Sequence, residues 1–543
     1  MNLIAQMRDQ IVSCVKISLE KCGISVGEFL IEVPRDKQFG DFSTNVAMTL
    51  AKAERQAPRA IAERIIENID VSGTYIEKVE IAGAGFINFY LKPEWLYLVA
   101  PAIHEMRERY GFVDVGKGEK VVVEYVSANP TGPMHMGNAR GGALGDGIAA
   151  VLDMAGYDVI REFYLNDSGN QIEKFSDSLE ARYLQHFGEY DFPEEGYKGK
   201  DITALAEIFI ENNGEKYGRE KSPELRKALV EFGLEHNVEQ MKNILGKYGV
   251  RHDVWFRESS LYTSGEVACT IEDLGKAGAT YEKDGAIWMK CEEKDEVLVR
   301  ANGVPTYFAA DIAYHRNKLE TREFSRAINV WGADHHGHVA RMKGAMEILG
   351  INPDRLEVVI MQLVRLMRGG EVARMSKRTG EAVTLEELLD EIGHSAARYF
   401  FNMRLAGSHF DFDLELAVQK SNDNPVFYVQ YAHARICSII EQIGVDVEVA
   451  DMALLVKDEE RDLLRKLAEY PEEIRLAAEA LEPSRMTRYA AELAGYFHSF
   501  YSACRVKDSE KNLLKARLSL VDVTRIVLRN VLALLGVEAP ERM

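Results

Sequence analysis

The sequence of 543 residues lacks three features that would each indicate a different class of protein. Its six cysteines are scattered without a C-x-x-C pair, which argues against a structural zinc site and favours reduced thiols. It has no apolar run long enough to cross a bilayer, and its charged first helix differs from a signal peptide. We therefore expect a cytoplasmic protein with no structural zinc and no membrane partner.

Positive charge is also in short supply. There are 66 Lys and Arg residues against 86 Asp and Glu residues, which gives a formal net charge of −20. Because phosphate contacts come from Lys and Arg, this balance excludes a protein that binds polyanions over its whole surface, but it leaves room for a local basic track. Apolar residues make up 46% of the chain, which predicts a folded protein, and the length predicts three or four domains.

Changes in composition divide the chain into regions. Turn-rich "RYGFVDVGKGEK" closes an α+β unit, and the runs "KVVVEYV", "AINVWGA" and "LEVVIMQLVRL" then predict strands of a parallel nucleotide-binding sheet. The predicted regions are an α+β domain at 1–112, an α/β domain at 113–390 with a helical insertion at about 172–300, a connecting segment at 391–414, and a helical domain at 415–543.

The loop "SANPTGPMHMGN" follows the first of these strands. In a doubly wound sheet, ligands bind beyond the carboxyl ends of the strands, where a loop leads into a helix N-terminus that attracts phosphate. Pro130 and Pro133 would stiffen this loop, Gly132 and Gly137 would let backbone approach a ligand, and His135 would supply a hydrogen-bond donor. Alone, such a loop is usually a plain turn.

A second stretch, "GGEVARMSKRTGEAVTLEELL", changes that interpretation. Arg374, Lys377 and Arg378 place three cations within five residues, and Ser376 adds a donor. Cations on a glycine-edged loop can close over a triphosphate and stabilise the charge that develops at phosphorus. A solvated charge run is the alternative for this stretch alone. The two stretches together predict a nucleotide site.

The two stretches resemble the signature motifs of class I aminoacyl-tRNA synthetases. "HMGN" (His135–Asn138) is similar to the HIGH motif and "RMSKR" (Arg374–Arg378) to the KMSKS motif. The resemblance is strongest to the arginyl-tRNA synthetase family and extends along the chain through "EVPRDKQFGDFSTNVAM", "GAGFINFYL", "FYLNDSGNQI", "TYFAADIAYH", "WGADHHGHVARM", "NPVFYVQYAHAR" and "APERM". It implies a Rossmann-like α/β catalytic domain with a parallel sheet, an N-terminal α+β domain and a C-terminal all-α anticodon-binding bundle.

The resemblance also implies a reaction. L-arginine and ATP, the latter with Mg²⁺, would give arginyl-adenylate and pyrophosphate, and the arginyl group would pass to the 3′-terminal adenosine of tRNA(Arg), with bound tRNA needed for activation. The family expectation is a monomer. Two positions depart from the family pattern: Asn138 replaces a histidine and cannot take a charge, and Arg374 replaces a lysine and keeps it.

Roles on the nucleotide side follow from the resemblance. His135 would bond a phosphate oxygen, Gly137 would let adenine lie against backbone, and Lys377 would neutralise the departing pyrophosphate. The predicted catalytic residues are His135, Asn138, Arg374 and Lys377, and the predicted ATP-binding residues are Pro133, His135, Gly137, Asn138, Gly332, Asp334, His335, Met375, Ser376 and Lys377.

Arginine specificity requires a group that reads a planar cation, and a carboxylate placed side-on reads a guanidinium best. In "TYFAADIAYH", Tyr307 and Asp311 are four residues apart and would share one helix face. By resemblance these two read the guanidinium, with Tyr314 as a further candidate, while Glu124, Ser127 and Asn129 fix the amino and carboxylate groups. The alternative for Asp311 is an ordinary surface salt bridge.

A cluster of histidines raises the alternative of a metal site. "WGADHHGHVARM" crowds Asp334, His335, His336 and His338 together after a strand. Adjacent residues on an extended segment point in opposite directions, so the four would rarely converge. By resemblance this segment lies beside the ribose and adenine of ATP, and we predict no protein-held metal.

Contacts with tRNA are predicted at both ends of the chain. By resemblance, Phe86 and Asn88 would meet the outer corner of the tRNA, and Tyr428, Tyr431 and Arg435 form a helical stripe in the anticodon domain that could equally be core. Two alternatives to an active arginyl-tRNA synthetase stay open: a tRNA-binding relative that has lost catalysis, suggested by Asn138 alone, and another class I synthetase.

Overall fold

The computed structural model describes residues 2–25, 27–34, 36–214, 216–291, 294–373, 383–447, 450–507 and 509–543. Arg374, Met375, Ser376, Lys377 and Arg378, which form the predicted second signature motif, lie outside the described residues. In the part of the chain that is described, none of the helices has the length and apolarity that a membrane span requires.

The first region is an α+β unit built on a small antiparallel sheet. Helix α1 begins after Asn2, whose side-chain oxygen accepts a hydrogen bond from the N–H of Ala5 at 3.0 Å and so caps the helix. The sheet has the order β1-β3-β2. The elements are α1 (Leu3–Lys21), β1 (Phe42–Thr44), α2 (Val46–Glu54), α3 (Pro58–Asn68), β2 (Ile76–Ala82), β3 (Phe86–Leu91) and α4 (Val99–Met106).

The second region contains the main sheet and its covering helices. Its first part comprises β4 (Lys120–Glu124), α5 (Gly137–Met154), β5 (Asp158–Leu165), α6 (Asn170–Gln185), α7 (Lys200–Asn213), α8 (Pro223–Lys247), β6 (Val254–Arg257), α9 (Glu258–Thr263) and α10 (Glu266–Lys276). Its second part comprises β7 (Thr280–Lys283), β8 (Ala286–Met289), β9 (Glu296–Val299), α11 (Tyr307–Arg316), β10 (Arg326–Gly332), α12 (His336–Ile348), β11 (Leu356–Met361), β12 (Val364–Arg368), β13 (Glu371–Val372), α13 (Leu385–Ile392), α14 (His394–Asn402), β14 (Phe410–Asp413) and α15 (Leu414–Val418).

The main sheet is parallel and has the order β11-β10-β4-β5-β6. Val121, Val122 and Val123 of β4 are fully buried, as expected for a central strand covered on both faces. The predicted strands "KVVVEYV" and "AINVWGA" are confirmed as β4 and β10, whereas "LEVVIMQLVRL" divides between β11 of this sheet and β12, which belongs to a separate sheet of order β13-β12-β14. The chain leaves β4 toward β5 on one side and returns to β10 on the other, so the crevice between β4 and β10 is the topological switch point, where ligands bind in such sheets.

The stretch predicted as a helical insertion is helical over α6, α7 and α8, but it also contains strands. Strand β6 adds to the edge of the main sheet, and β7, β8 and β9 form a separate antiparallel sheet. Each of these strands has four residues. A run of four is too short to display a clear alternation, so the sequence pattern did not reveal them.

The last region is all-α. It consists of α16 (Pro425–Ile443), α17 (Asp458–Ala468), α18 (Tyr470–Ala480), α19 (Ser484–Ala503) and α20 (Lys511–Leu534). The chain then docks its final residues on α16: His433 Nδ1 lies 2.9 Å from the carbonyl oxygen of Pro540, and Arg542 pairs with Glu441 at 2.8 Å. The predicted combination of an α/β core with α+β and all-α neighbours is confirmed.

Candidate active site

The loop that follows β4 has a strained start at the switch point. Val126 and Ser127 adopt positive φ angles of 71° and 45°, which cost free energy for residues with a Cβ atom. Such strain persists only when the surroundings fix it, and it concentrates at functional sites. The strain turns the chain from the buried strand into the loop that carries His135.

Glu124 ends β4 and is only 6% exposed. Ser127 Oγ donates a hydrogen bond to Glu124 Oε1 at 2.9 Å, and Lys318 Nζ lies 2.6 Å from Glu124 Oε2. The backbone N–H of Tyr164 donates to Ser127 Oγ at 3.1 Å, which fixes the serine. Asn129 donates to Gln171 Oε1 at 2.5 Å. The predicted amino-acid-side residues thus lie together at the end of the central strand.

Tyr307 and Asp311 lie on one face of α11, as their spacing predicts. Asp311 Oδ2 is 3.2 Å from His338 Nε2 on α12. Desolvation raises the pKa of the Asp311 carboxyl, and the hydrogen bond from His338 opposes this. A Cβ atom at residue 169 would stand 2.6 Å from the Tyr307 hydroxyl, and Gly169 has a φ of +83°, so this approach requires glycine.

A second carboxylate, Glu258, joins Asp311 and was missed by the sequence analysis. It is the first residue of α9, directly after β6, and is 2% exposed. Ser168 Oγ donates to it at 2.6 Å. Burial raises the pKa of Glu258, and the negative charge of Asp311 raises it further. The available signal was an acid at the carboxyl end of a strand, but β6 itself was not predicted.

Glu258 lines a cavity together with Tyr307, and the negative charge of Asp311 acts on two residues of its wall, Glu258 and Tyr262. The cavity has a volume of about 250 Å³, and its lining includes Ser168, Gly169, Asn170, Glu258, Tyr262 and Tyr307, with Arg300 as the one cationic side chain among the described residues of the lining. Among the described residues, no lysine or arginine forms an ion pair with Asp311 or Glu258. Burial and the two negative charges raise the pKa of Tyr262 to about 12, so its hydroxyl keeps its proton.

Tyr314 has a different environment from Tyr307. It is 2% exposed, and its hydroxyl donates to Glu162 Oε1 at 2.6 Å. Its ring packs on that of Tyr164, with the centroids 4.4 Å apart. The structure therefore places this predicted arginine-side residue in the packed interior, outside the lining of the cavity.

On the nucleotide side, His135 is exposed at the start of α5. The N–H of Gly137 donates to His135 Nδ1 at 3.1 Å, so Nδ1 is the acceptor and Nε2 carries the proton of the neutral ring. A Cβ atom on residue 137 would lie 2.9 Å from the ring. Asn138 Oδ1 accepts a hydrogen bond from the N–H of His135 at 3.3 Å. Asn138 therefore holds the loop, and His135 Nε2 is an outward-facing donor.

The loop of His135 pairs with the chain that follows the second motif. His135 forms an antiparallel bridge with Thr384, and the N–H of Met136 donates to the carbonyl oxygen of Val383 at 3.0 Å. A cavity of about 240 Å³ is lined by residues that include His135, Gly137, Gly332, Leu363, Ala373 and Val383. Ala373 and Val383, the described residues on either side of 374–382, both line this cavity.

The segment after β10 borders the same crevice. Gly332 is the last residue of β10, and a single 3₁₀ turn, Ala333–His335, leads into α12. The side chains of Asp334 and His335 are 81% and 57% exposed and lie 3.2 Å apart. No group of three or more potential metal ligands occurs in the described part of the chain. Pro133 lines a separate cavity, whose wall includes residues of α8, and is not among the residues that line the cavity beside His135.

The predicted tRNA-contacting residues differ in accessibility. Phe86 is 40% exposed, whereas Asn88 is 3% exposed and accepts a hydrogen bond from Ser43 at 2.8 Å. On α16, Tyr431 is 37% exposed. The two other residues of this stripe contact α19: Tyr428 packs on His498, and the Arg435 guanidinium lies over the ring of Tyr501.

Three family models match the chain in succession. The model for the arginyl tRNA synthetase N terminal domain matches residues 8–91, that for the class I (R) tRNA synthetase catalytic domain matches residues 102–403, and that for the DALR anticodon binding domain matches residues 429–543. The match to the catalytic domain alone covers more than half of the chain.

Individual relatives are similar over the full length. The arginine–tRNA ligases of Acetivibrio thermocellus and Ruminiclostridium cellulolyticum are 56% and 57% identical, with all of this chain and all of each relative covered. The structure of Thermus thermophilus arginyl-tRNA synthetase superimposes with a TM-score of 0.77 at 23% identity, covering 99% of this chain and 100% of that one. At that identity the superposition concerns the fold.

Proposed function

Because the chain belongs to the class I arginyl-tRNA synthetases, we propose how its switch-point site performs the reaction of that family. The protein is an arginine–tRNA ligase. It activates L-arginine with ATP to form arginyl-adenylate, releases pyrophosphate, and transfers arginine to the 3′-terminal adenosine of tRNA(Arg). The alternative of another class I synthetase is thereby set aside.

On the arginine side, we assign the guanidinium to Asp311 and Glu258, with Tyr307 beside them. The supporting observation is that Glu258 lines the cavity beside Tyr307 and lies close enough to Asp311 for the charge of Asp311 to raise its pKa, while neither carboxylate has a lysine or arginine partner among the described residues. Burial raises the pKa of both carboxyl groups, so keeping them ionised costs free energy. The guanidinium of arginine is permanently charged, and its binding offsets that cost. Glu124 and Asn129 then bind the α-ammonium and α-carboxylate groups, and Ser127 holds Glu124.

On the nucleotide side, we assign the α-phosphate to the start of α5. The Nε2–H group of the neutral His135 ring and the helix N-terminus both favour an anion there, and the backbone at Gly137 and Gly332, which lines the cavity, admits the adenosine. The arginine carboxylate attacks the α-phosphorus in line, so the protein contributes position and charge stabilisation rather than a covalent intermediate. Lys377 stabilises the departing pyrophosphate, and Mg²⁺ enters with ATP.

We further propose the division of labour along the chain. Residues 1–112 contact the outer corner of the tRNA, 113–390 carry catalysis, with 172–300 as the insertion, 391–414 connect, and 415–543 hold the anticodon loop. Phe86 and Tyr431 are the better exposed of the predicted tRNA contacts. We propose a cytoplasmic monomer.

Pyrophosphate exchange tests this assignment. With arginine, ATP and tRNA(Arg) present, labelled pyrophosphate should enter ATP, and replacing arginine by lysine should abolish the exchange. A protein that bound tRNA(Arg) normally but showed no exchange would be the catalytically impaired relative, and Asn138→His would then be the first variant to test for restored activity.

A further inference from the structure

A buried lysine lies between Glu124, which we assign to the α-ammonium group of arginine, and the helix that carries Asp311, which we assign to the guanidinium. Lys318 belongs to the π-helical turn Asn317–Thr321 that continues α11, and its side chain is fully buried. A buried lysine is costly unless it is paired, so its partners indicate what it stabilises. Its ammonium lies 2.6 Å from Glu124 Oε2, 3.2 Å from Asn329 Oδ1 and 4.0 Å from Glu162 Oε1.

The three partners stand on three neighbouring strands of the main sheet. Glu124 ends β4, Glu162 lies on β5 and Asn329 lies on β10, and both Glu162 and Asn329 are register partners of Glu124. The ammonium is also 4.1 Å from the ring centroid of Tyr314, within cation–π distance. Lys318 thus links the carboxyl end of the central strand β4 to its two neighbouring strands, β5 and β10.

A directional hydrogen-bond chain runs from Lys318 to the guanidinium side. Lys318 donates to Asn329 Oδ1, and Asn329 Nδ2 donates to His315 Nε2 at 2.8 Å. His315 Nδ1 in turn donates to the backbone carbonyl of Asp311 at 2.7 Å. Burial and the charge of Lys318 lower the pKa of His315 to about 3, so the ring stays neutral and the chain keeps one direction. All three side chains are at most 2% exposed.

We propose that Lys318 is a positioning residue that fixes the Glu124 carboxylate for the α-ammonium group of the substrate and sets its separation from Asp311. The inference rests on the proposed role of Glu124. A carboxylate accepts about four hydrogen bonds, and Lys318 and Ser127 account for two of them. The remaining lone pairs can face the crevice. Lys318 does not touch the substrate.

The test separates positioning from general support. In the full chain with tRNA(Arg) and ATP, one measures KM for L-arginine in pyrophosphate exchange and Ki for 5-guanidinopentanoic acid, which is arginine without its α-amino group. The ratio of Ki to KM reports recognition of the ammonium. In Lys318→Met this ratio should fall roughly 10- to 100-fold, because a charge-assisted contact is lost, while KM for ATP changes little.

A matched control is available in the helical domain. Lys466 is also buried, pairs with Glu469 and Glu492 at 2.9 and 2.7 Å, and lies 4.6 Å from the ring centroid of Tyr489. Lys466→Met should lower stability in a similar way and leave the ratio unchanged. If Lys318→Met weakened both ligands equally, Lys318 would be structural and the proposal would be overturned.

Two further variants keep the outcome decisive if Lys318→Met folds poorly. Glu124→Gln should lower the ratio, and the double variant Lys318→Met/Glu124→Gln, which replaces the buried pair by neutral groups, should match Glu124→Gln alone. A further fall in the double variant would contradict action through Glu124. An unchanged ratio in Glu124→Gln would instead refute the proposed role of Glu124, and the inference with it.

Discussion

The two sides of the active site are built differently. On the arginine side, Glu124, Glu258 and Lys318 are nearly or fully buried, and their partners come from several strands and helices. On the nucleotide side, His135 is exposed, and the side chains of Asp334 and His335 are 81% and 57% exposed. A buried carboxylate such as Glu258 is suited to selecting one small cationic side chain, because most of its desolvation precedes ligand binding, whereas the Asp311 side chain is 33% exposed.

This difference predicts which substitutions change both activity and stability and which change activity alone. A substitution on the arginine side changes a packed polar network, so it lowers affinity for arginine, and its effect on stability depends on whether the group replaced was favourable or costly in its buried setting. A substitution on the nucleotide side touches exposed loop residues, so rate changes and stability does not. The following predictions would break or sharpen this contrast.

The largest expected effect lies on the nucleotide side. Lys377→Ala should lower kcat of pyrophosphate exchange about 10²- to 10³-fold, because the cation that we assign to the departing pyrophosphate is lost from the transition state. Thermal unfolding, KM for arginine and affinity for tRNA should stay close to the parent values. A variant with normal kcat would remove Lys377 from the mechanism.

The next effect lies on the arginine side. Asp311→Asn should raise KM for arginine about 10²-fold, because a buried charge pair with the guanidinium is lost, and should leave KM for ATP nearly unchanged. Asp334→Asn is the matched control, since it makes the same chemical change on the exposed side and should alter only KM for ATP. Equal changes in both constants for Asp311→Asn would show that the cavity is assigned wrongly.

At Glu258 a substitution should weaken arginine binding moderately without lowering the stability of the protein. Glu258→Gln should raise KM for arginine about tenfold, because one charge-assisted contact becomes neutral. Because the pKa of Glu258 is raised in the folded protein, its ionised form destabilises the fold at a pH above that pKa. Glutamine carries no charge and avoids this cost, so the variant should unfold at the same or a higher temperature at neutral pH. The exposed Glu272→Gln should change neither quantity. A strongly destabilised Glu258→Gln protein would contradict the account.

The smallest expected effect is the release of protons when arginine binds. Asp311 and Glu258 have raised pKa values, and a bound guanidinium lowers them again, so arginine binding should release a fraction of a proton at mildly acidic pH. KM for arginine should accordingly rise as the pH falls through the raised pKa values. Calorimetry in buffers of different ionisation enthalpy measures the release, which should shrink in Glu258→Gln. Uptake of protons would reverse the predicted sign.

The sequence predicted those parts of the site that follow local rules. A β-branched run before "SANPTGPMHMGN" indicated a buried strand and a ligand loop, and a spacing of four placed Tyr307 and Asp311 on one helix face. The resemblance to the synthetases supplied Glu124, whose place at the end of β4 the structure gives.

The buried network could not be predicted in the same way. Lys318 contacts Glu124 across 194 residues of sequence, and a lysine in a helical pattern ordinarily indicates a solvated face. Glu258 follows a strand of only four residues, which has no distinctive period. Both residues acquire their roles only when separate strands align, so the information lies in tertiary packing rather than in a local pattern.

The most direct measurement is a crystal structure with a non-hydrolysable arginyl-adenylate analogue. The account predicts the guanidinium within hydrogen-bond distance of Asp311 and Glu258, the α-ammonium at Glu124, and the phosphate mimic between His135 and Lys377. A guanidinium directed into solvent, or Lys377 and His135 facing separate cavities, would contradict it.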